Sequence, residues 1–382
     1  MNSSDRPGEP SFIKEGAACF QVGNAFFRPQ TRVVRDLGVL MAALHRQQTG
    51  RLRVLDAMAG CGVRSLRYWQ ESGADWLWVN DGNPDIHPTL NANLQSLLEA
   101  GRGQVTQEEA NRVFFTCHLK KDYYDLVDVD GFGAATPHLS TCLWATAIGG
   151  LIYLTSTDGR TATGHLPTQS LRFYAAYARS HPAAHEQGLR LLLGSLQQQA
   201  AARHLGIRPL FSLFTGETYR VMVRLLPKPM LTDQNYGFLG YCHGCGEYQT
   251  VSWRRLGRVS CQDCDRPPTL TGPLWLGSLH DPATLTDLIA LADQWQWSDR
   301  AHLLRLMAAE ATMPPYFYRL GDMGKQGQMD IPKRSHLIQA LQAQGYRATA
   351  THIHAEAIKT DASLAICVAI ARSITEPLPS PD

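Results

Sequence analysis

Along the first half of the chain, apolar residues fall into short runs that end in turn formers, each followed by a stretch of helical period. "RLRVLDAMAGCGVRSLRYWQESG" reads as strand, glycine-bearing turn and helix, and "DWLWVNDGNPDIHPTLNANLQSLLEA" repeats that order. "YDLVDVDGFG" and "AIGGLIYLTSTD" supply two more strands; "HEQGLRLLLGSLQQQAAARHLG" is an amphipathic helix and "YRVMVRLLPKP" a late strand. Strands alternating with helices predict an α/β fold built on a doubly wound, mostly parallel sheet. Upstream, "GNAFFRPQTRVVRDLGVLMAALHRQ" reads as a loop and a helix with Pro29 near its start, and residues 1–20 as poorly structured. After the Pro-flanked "LLPKPMLTDQN" the alternation stops, and helical stretches such as "TLTDLIALADQWQW" and "RAHLLRLMAAEA" take over. These changes divide the chain into a domain over 1–228, a second α+β domain over 229–375 and a frayed tail over 376–382.

Composition alters this picture little. A length of 382 residues exceeds the usual single core, and 44% hydrophobic with 18% charged residues is ordinary for a globular protein. "MNSSDRPGEPSF" has no basic start or apolar run, so it does not read as a signal peptide. "LWATAIGGLIYLTS" is too short and too glycine-interrupted to span a bilayer. The expectation is a cytoplasmic protein with no membrane partner, for which a monomer is the simplest state. A net charge of +2 excludes a uniformly basic nucleic-acid surface, and residues 226–382 balance 14 basic against 15 acidic groups. A polyanion would have to be met by local clusters: Arg254, Arg255 and Arg258, or Lys333 with Arg334.

Of nine cysteines, Cys242, Cys245, Cys261 and Cys264 form a C-x2-C-x15-C-x2-C set, the spacing of a tetrahedral four-thiolate zinc site. Four thiolates leave no position for an activated water, so the zinc would be structural. The other five are scattered and fit reduced thiols in a reducing compartment.

In an open parallel sheet, ligands sit beyond the carboxyl ends of the strands. "VLDAMAGCGVR" provides such a turn after Asp56, where Gly60 and Gly62 permit close backbone approach and a helix N-terminus follows. Ser65 stands where a nicotinamide-cofactor fingerprint would have its third glycine, while Asp81 ends the next strand, where an acid takes ribose hydroxyls. Later, "DVDGFG" brings carboxylates and an aromatic ring to one strand end. It resembles the Asp/Asn-Pro-Pro-aromatic turn of class I methyltransferases that act on amino nitrogens, which favours S-adenosylmethionine as cofactor. An exocyclic amine conjugated to a ring is a poor nucleophile; an acceptor that binds its N–H and takes the lost proton corrects this. Asp130 would hold the amine, Phe132 would pack on the extruded base, and Asp128 would shape the turn. An Asx turn with a core phenylalanine is the alternative reading of the segment.

Taken together, the chain resembles the tRNA guanine-26 N2-dimethyltransferases over nearly its whole length. "AFFRPQTRVVRDL", "LDAMAGCGVRSLR", "VNDGNPDIHPTLNANL", "DVDGFGAATPHL", "GGLIYLTSTD", "HEQGLRLLL", the double C-x2-C and "THIHAEAIKTDA" correspond in order to that family's motifs. The resemblance implies a Rossmann-like class I methyltransferase domain, a C-terminal zinc-bearing tRNA-binding domain, and tRNA as substrate. It implies that Arg35, Asp56, Gly60, Gly62, Arg64, Asp81, Glu109 and Ala110 line the cofactor site, with Arg35 and Arg64 on the methionine carboxylate. It places catalysis at Asp130, Gly131 and Phe132, and phosphate contacts at Lys333, Arg334, His352, His354 and Lys359. Three positions depart from the family: Gly131 replaces a proline, Glu109 an aspartate, and "TSTDGRTATGH" lacks a cysteine. Two other functions remain open: a tRNA-binding protein with little or no methyl transfer, or a class I N-methyltransferase acting on another RNA or a protein amine.

Overall fold

β1 (Phe12–Glu15) and β2 (Ala18–Gln21) open the chain in the computed structural model, which describes residues 12–375, as an antiparallel hairpin. Residues 12–20 are therefore ordered, against the sequence expectation; four-residue strands are too short to show a period. Gly16 at the hairpin turn has φ +59°, and a Cβ there would lie 2.3 Å from Glu71 Oε1. The expected tail at 376–382 lies outside the described residues.

The next helix, Arg32–Thr49, ends on Gly50 in the left-handed conformation. Strand and helix then alternate: β3 (Arg53–Asp56), helix Val63–Gln70, β4 (Trp76–Asn80), helices His87–Asn93 and Gln95–Glu99, and β5 (Gly103–Thr106). Helix Ala110–Lys120, β6 (Tyr124–Val129) and β7 (Thr146–Ser156) complete the series. These five strands are parallel, in the order β5-β4-β3-β6-β7. β6 is buried at every position, as a parallel strand covered on both faces must be. Strand order reverses between β3 and β6, which makes the ends of these two neighbours the topological switch point where ligands bind.

The described residues form two compact units. One runs up to Gly131 and includes Ser140–Leu154; the other takes Phe132–Leu139 and everything from Thr155 onward. In the second unit, β8 (Gly206–Phe214) and β9 (Tyr219–Leu226) pair antiparallel. β10 (Tyr236–Tyr241), β11 (Tyr248–Val251) and β12 (Thr269–Trp275) form a three-stranded sheet in the order β11-β10-β12. β13 (Tyr318–Arg319), β14 (Ala348–Ala350) and β15 (Ala357–Thr360) form another, in the order β13-β15-β14. Helices Leu320–Gly327, Arg334–Ala343 and Leu364–Thr375 pack together, as do Pro282–Gln294 and Ser298–Glu310.

The units do not part at 228/229, and helix Ala184–Ala201 supplies the reason. It is buried for most of its length and packs on β12. Arg190 donates to the carbonyls of Trp275 (3.0 Å) and Gly277 (2.8 Å). Glu186 Oε1 accepts from Arg190 and from Lys359 Nζ at 2.6 Å. Buried charge pairs broken on one side leave an uncompensated ion, so these links bind residues before and after 228 into one body. Among the described residues, no helix is long and apolar enough to cross a membrane.

Candidate active site and metal centre

At the switch point, β3 delivers Asp56, which is fully buried and accepts from Ser65 Oγ at 2.7 Å. The turn that follows carries Gly60 (φ +56°) and Gly62 (φ +80°), and a Cβ on Gly62 would meet Leu90 Cδ1 at 2.8 Å. Glycine is required here on both counts. The Gly60 amide donates to Asp81 Oδ2 at 2.9 Å, while Asp81 Oδ1 accepts from the Asn83 amide at 2.9 Å. The acid after β4 thus shapes the glycine turn, and each of its oxygens keeps a second lone pair for a hydroxyl. Asn80 binds three segments at once: Nδ2 donates to the Ala57 and Glu108 carbonyls, and Oδ1 accepts from the Glu108 amide and Thr106 Oγ1. Its burial and four bonds make it a positioning residue that pattern reading overlooked; the signal was a lone amide ending an apolar strand, "LWVN".

The neighbouring end of β6 presents Asp128 and Asp130. Asp128 is fully buried; it accepts from Tyr68 Oη at 2.7 Å and pairs with Arg64 at 3.3 Å, and its carbonyl accepts from the Ala57 amide. The same Arg64 guanidinium pairs with Asp130, whose side chain is 27% exposed. Asp128 is therefore the structural acid, and Asp130 the one a ligand can reach. Helix Val63–Gln70 supplies Arg64, Ser65 and Tyr68 from one face, so a single element orients both strand-end acids and Asp56.

Burial, and then the charge of Asp128, push Asp56 up to about 7, with Arg64 and Ser65 pulling the other way. The folded protein thus keeps a proton that the unfolded chain releases near an ordinary carboxylate value. Stability contributed by this site falls as pH rises from about 4 to about 7 and then levels. Asp56→Asn is expected to flatten that part of the urea-unfolding profile; an unchanged slope in the variant would contradict the assignment.

In the second unit, Cys242 and Cys245 lie in the turn between β10 and β11, and Cys261 and Cys264 in a turn before β12. Their sulfurs stand 3.4 Å (Cys242–Cys264), 3.3 Å (Cys245–Cys261) and 3.7 Å (Cys245–Cys264) apart. A disulfide would need about 2.05 Å. A tetrahedron with metal–sulfur bonds of about 2.3 Å has edges of about 3.8 Å, so the four thiols fit such an ion. His243, between two of them, is exposed.

A family model described as N2,N2-dimethylguanosine tRNA methyltransferase matches residues 8–372. The chain belongs to this family. A tRNA (guanine(26)-N(2))-dimethyltransferase of Aeropyrum pernix is 30% identical over 357 residues, covering 88% of this chain and 86% of the relative. One from Pyrobaculum neutrophilum is 32% identical over 339 residues, covering 88% and 89%. The structure of Trm1 from Pyrococcus horikoshii in complex with S-adenosyl-L-methionine is similar at a TM-score of 0.81 and 25% identity, over 94% of this chain and 99% of that one. The methyltransferase fold expected from the sequence is thereby established.

Within this dimethylguanosine methyltransferase family, the expected site residues divide by environment. Gly60, Gly62, Arg64, Asp81, Asp130 and Gly131 converge at the switch point. Gly131 has Met58 beside it: a Cβ would lie 3.0 Å from Met58 Sδ, so the thioether fills space that a proline ring would contest. Phe132 is 73% exposed, and the following Gly133 exchanges bonds of 2.8 Å with Thr157 Oγ1 and the Thr157 amide in "TSTD". Arg35 is buried against Glu15 at 2.5 Å, bonded to Thr31 and stacked over Phe27. That pairing meets its charge inside the protein. Glu109 caps helix Ala110–Lys120, accepting from the Arg112 amide at 3.1 Å, and Ala110 is buried behind it.

The five expected phosphate ligands separate sharply. Lys333 is exposed and Arg334 half-exposed. Lys359 is 2% exposed, with Nζ on Glu186 and the Pro314 carbonyl, and cannot reach a phosphate. His352 is enclosed against Glu310 beside His280. These three side chains are close enough to share an ion. However, His280 Nδ1 accepts from the Ser212 amide, which puts the neutral ring's proton on Nε2 and removes the lone pair a metal would need. His354 Nδ1 accepts from the Glu356 amide and shapes its own turn.

Proposed function

We propose that this protein transfers methyl groups from S-adenosylmethionine to the exocyclic N2 of guanine-26 in tRNA, twice at one nitrogen, in the cytoplasm. The observation that carries the reading is a reachable Asp130 at the end of β6, fastened by Arg64 beside the Gly60–Gly62 turn and Asp81. Together with family membership, this favours methyl transfer over simple RNA binding.

Gly60 and Gly62 give backbone access to a nucleoside, and Asp81 accepts from ribose hydroxyls. The cofactor supplies an electrophilic methyl on a sulfonium when bound. Asp130 accepts a hydrogen bond from the guanine amine, and the Gly131 carbonyl takes the second N–H. These two acceptors aim the nitrogen lone pair at the methyl carbon. As the N–C bond forms, the S–C bond breaks, its electron pair stays on sulfur, and the nitrogen proton passes to the Asp130 carboxylate. A base must leave its stack to reach this point, which favours a weakly paired junction. Phe132, exposed before RNA arrives, offers a face for it.

Zinc is the ion we assign to the four cysteines. Of the phosphate contacts, Lys333 and Arg334 are retained, and His352 and Lys359 are withdrawn on burial. Reversing both retained charges (K333E/R334E) is expected to weaken tRNA binding and lower the slope of log affinity against log salt by about 2. An unchanged slope would remove this surface from the interface.

The reading is tested by incubating the protein with cofactor labelled in its methyl group and, in parallel, unmodified tRNA, polyuridylate and a mixed protein fraction. Label in tRNA alone supports it. Binding of tRNA without label transfer favours the RNA-binding alternative, and label in protein the third reading.

A further inference from the structure

The second unit contains a cavity of about 350 Å³ that methyl transfer does not use. It lies between the C-x2-C turn joining β10 to β11 and helix Leu320–Gly327. Tyr241 and Tyr248 are directly paired across the two strands, with ring centroids 4.8 Å apart, and close the hairpin just outside the metal knuckle. Tyr318 and Phe317 complete an aromatic wall, and both are buried. Though buried, these two also line open space. Tyr241 is only half-buried.

Opposite the rings stand Arg319 and the exposed Lys325. The helix is tied to the knuckle by Gln326 Nε2, which donates to the Cys245 carbonyl at 2.9 Å. Lys325 also lines a second, shallower concavity, which extends to Asp330 and Ile331, two residues short of Lys333. Arg319 and Lys325 line these two concavities, against Asp322 and Asp330, and Lys333 and Arg334 follow Ile331 in the chain. Asp322 is already held by Arg319 at 2.7 and 3.1 Å. Aromatic faces in a pocket wide enough for one base, followed by a cationic path, are the two components of single-strand nucleic-acid binding. A peptide would be better served by an exposed strand edge or a purely apolar groove.

We propose that this cavity takes one unpaired nucleobase of the RNA substrate, stacked on Tyr241, with the adjoining phosphates lying over Lys325 toward Lys333 and Arg334. The site holds the RNA and takes no part in chemistry. The inference rests on tRNA being the substrate. It also gives the metal knuckle a task, because the turn that carries Cys242 and Cys245 is one wall of the pocket.

The test uses the full-length protein and unmodified tRNA. Tyr241→Ala is expected to raise KM for tRNA about tenfold, leaving kcat and cofactor affinity unchanged, since stacking on one aromatic ring is lost. Tyr241→Phe keeps the stacking face and should behave as wild type. Metal content and the unfolding midpoint are measured on both variants, so that collapse of the hairpin is recognised; if Tyr241→Ala has lost its metal, Lys325→Glu is read in its place, with the same expected rise. Photo-crosslinking with tRNA containing 4-thiouridine should place a link in the peptide bearing Tyr241. An unchanged KM in a metal-replete variant, or crosslinks confined to peptides outside the two walls, overturns the proposal. If the wild-type protein binds tRNA but transfers no methyl group, the functional reading fails, while tRNA affinity and crosslinking still report on the pocket.

Discussion

Asp130→Ala is expected to lower methyl transfer to tRNA by at least about 10²-fold while cofactor affinity stays within a few-fold of wild type. The reason lies in the division of labour at the end of β6. Asp128 is buried and saturated by Tyr68 and Arg64, so its loss would disturb the fold, whereas Asp130 is partly exposed and reaches the crevice. Arg64 retains Asp128 when Asp130 is removed, so the helix carrying it stays in place. Asp130→Asn separates two contributions. Its amide oxygen still accepts the amine N–H but takes no proton, so activity between alanine and wild type is expected. Calorimetric titration of cofactor together with single-turnover transfer reads both quantities. Wild-type rates in the alanine variant would remove Asp130 from the mechanism.

Cys242→Ser is expected to empty the four-cysteine site and unfold the segment around it, with tRNA binding lost and cofactor binding retained. Structural zinc contributes folding free energy directly, on the order of 10 kcal/mol in isolated zinc peptides. An ion at the four cysteines would join a turn between β10 and β11 to a turn before β12, where Cys261 and Cys264 sit among exposed residues. The glycine turn and strand-end acids belong to the other unit, so their ligand affinity should not follow the metal. Elemental analysis should find one zinc per wild-type chain and none in the variant, with a lower thermal midpoint. Wild-type stability and tRNA affinity without metal would contradict the structural role.

Much of this site is legible in the sequence because its constraints are local. Gly60 and Gly62 occupy backbone conformations that other residues avoid, and the C-x2-C pairs bring two thiolates to one turn each. The parallel sheet follows from the alternation of strand and helix, which its apolar runs announce. What escaped depends on partners distant in the chain. Arg35 reads as a cofactor ligand until Glu15, twenty residues earlier, is placed against it. Lys359 and His352 read as surface cations because "THIHAEAIKTDA" is polar, and only Glu186 and Glu310 explain their burial. Tyr68 lies outside every motif and Asn80 lies inside one without an evident role; each matters through bonds to segments dozens of residues away. The links across residue 228 are hidden for the same reason: "LLPKPMLTDQN" looks like a linker, but Arg190 and Glu186 bind across it.

The most direct measurement is the mass of tRNA fragments. Unmodified tRNA treated with protein and S-adenosylmethionine is digested at guanines and its fragments weighed. The account predicts that the fragment containing position 26 gains two methyl groups, released on further digestion as N2,N2-dimethylguanosine, and that every other fragment is unchanged. Methyl groups in a different fragment, on a different atom of guanine, or nowhere, would contradict it.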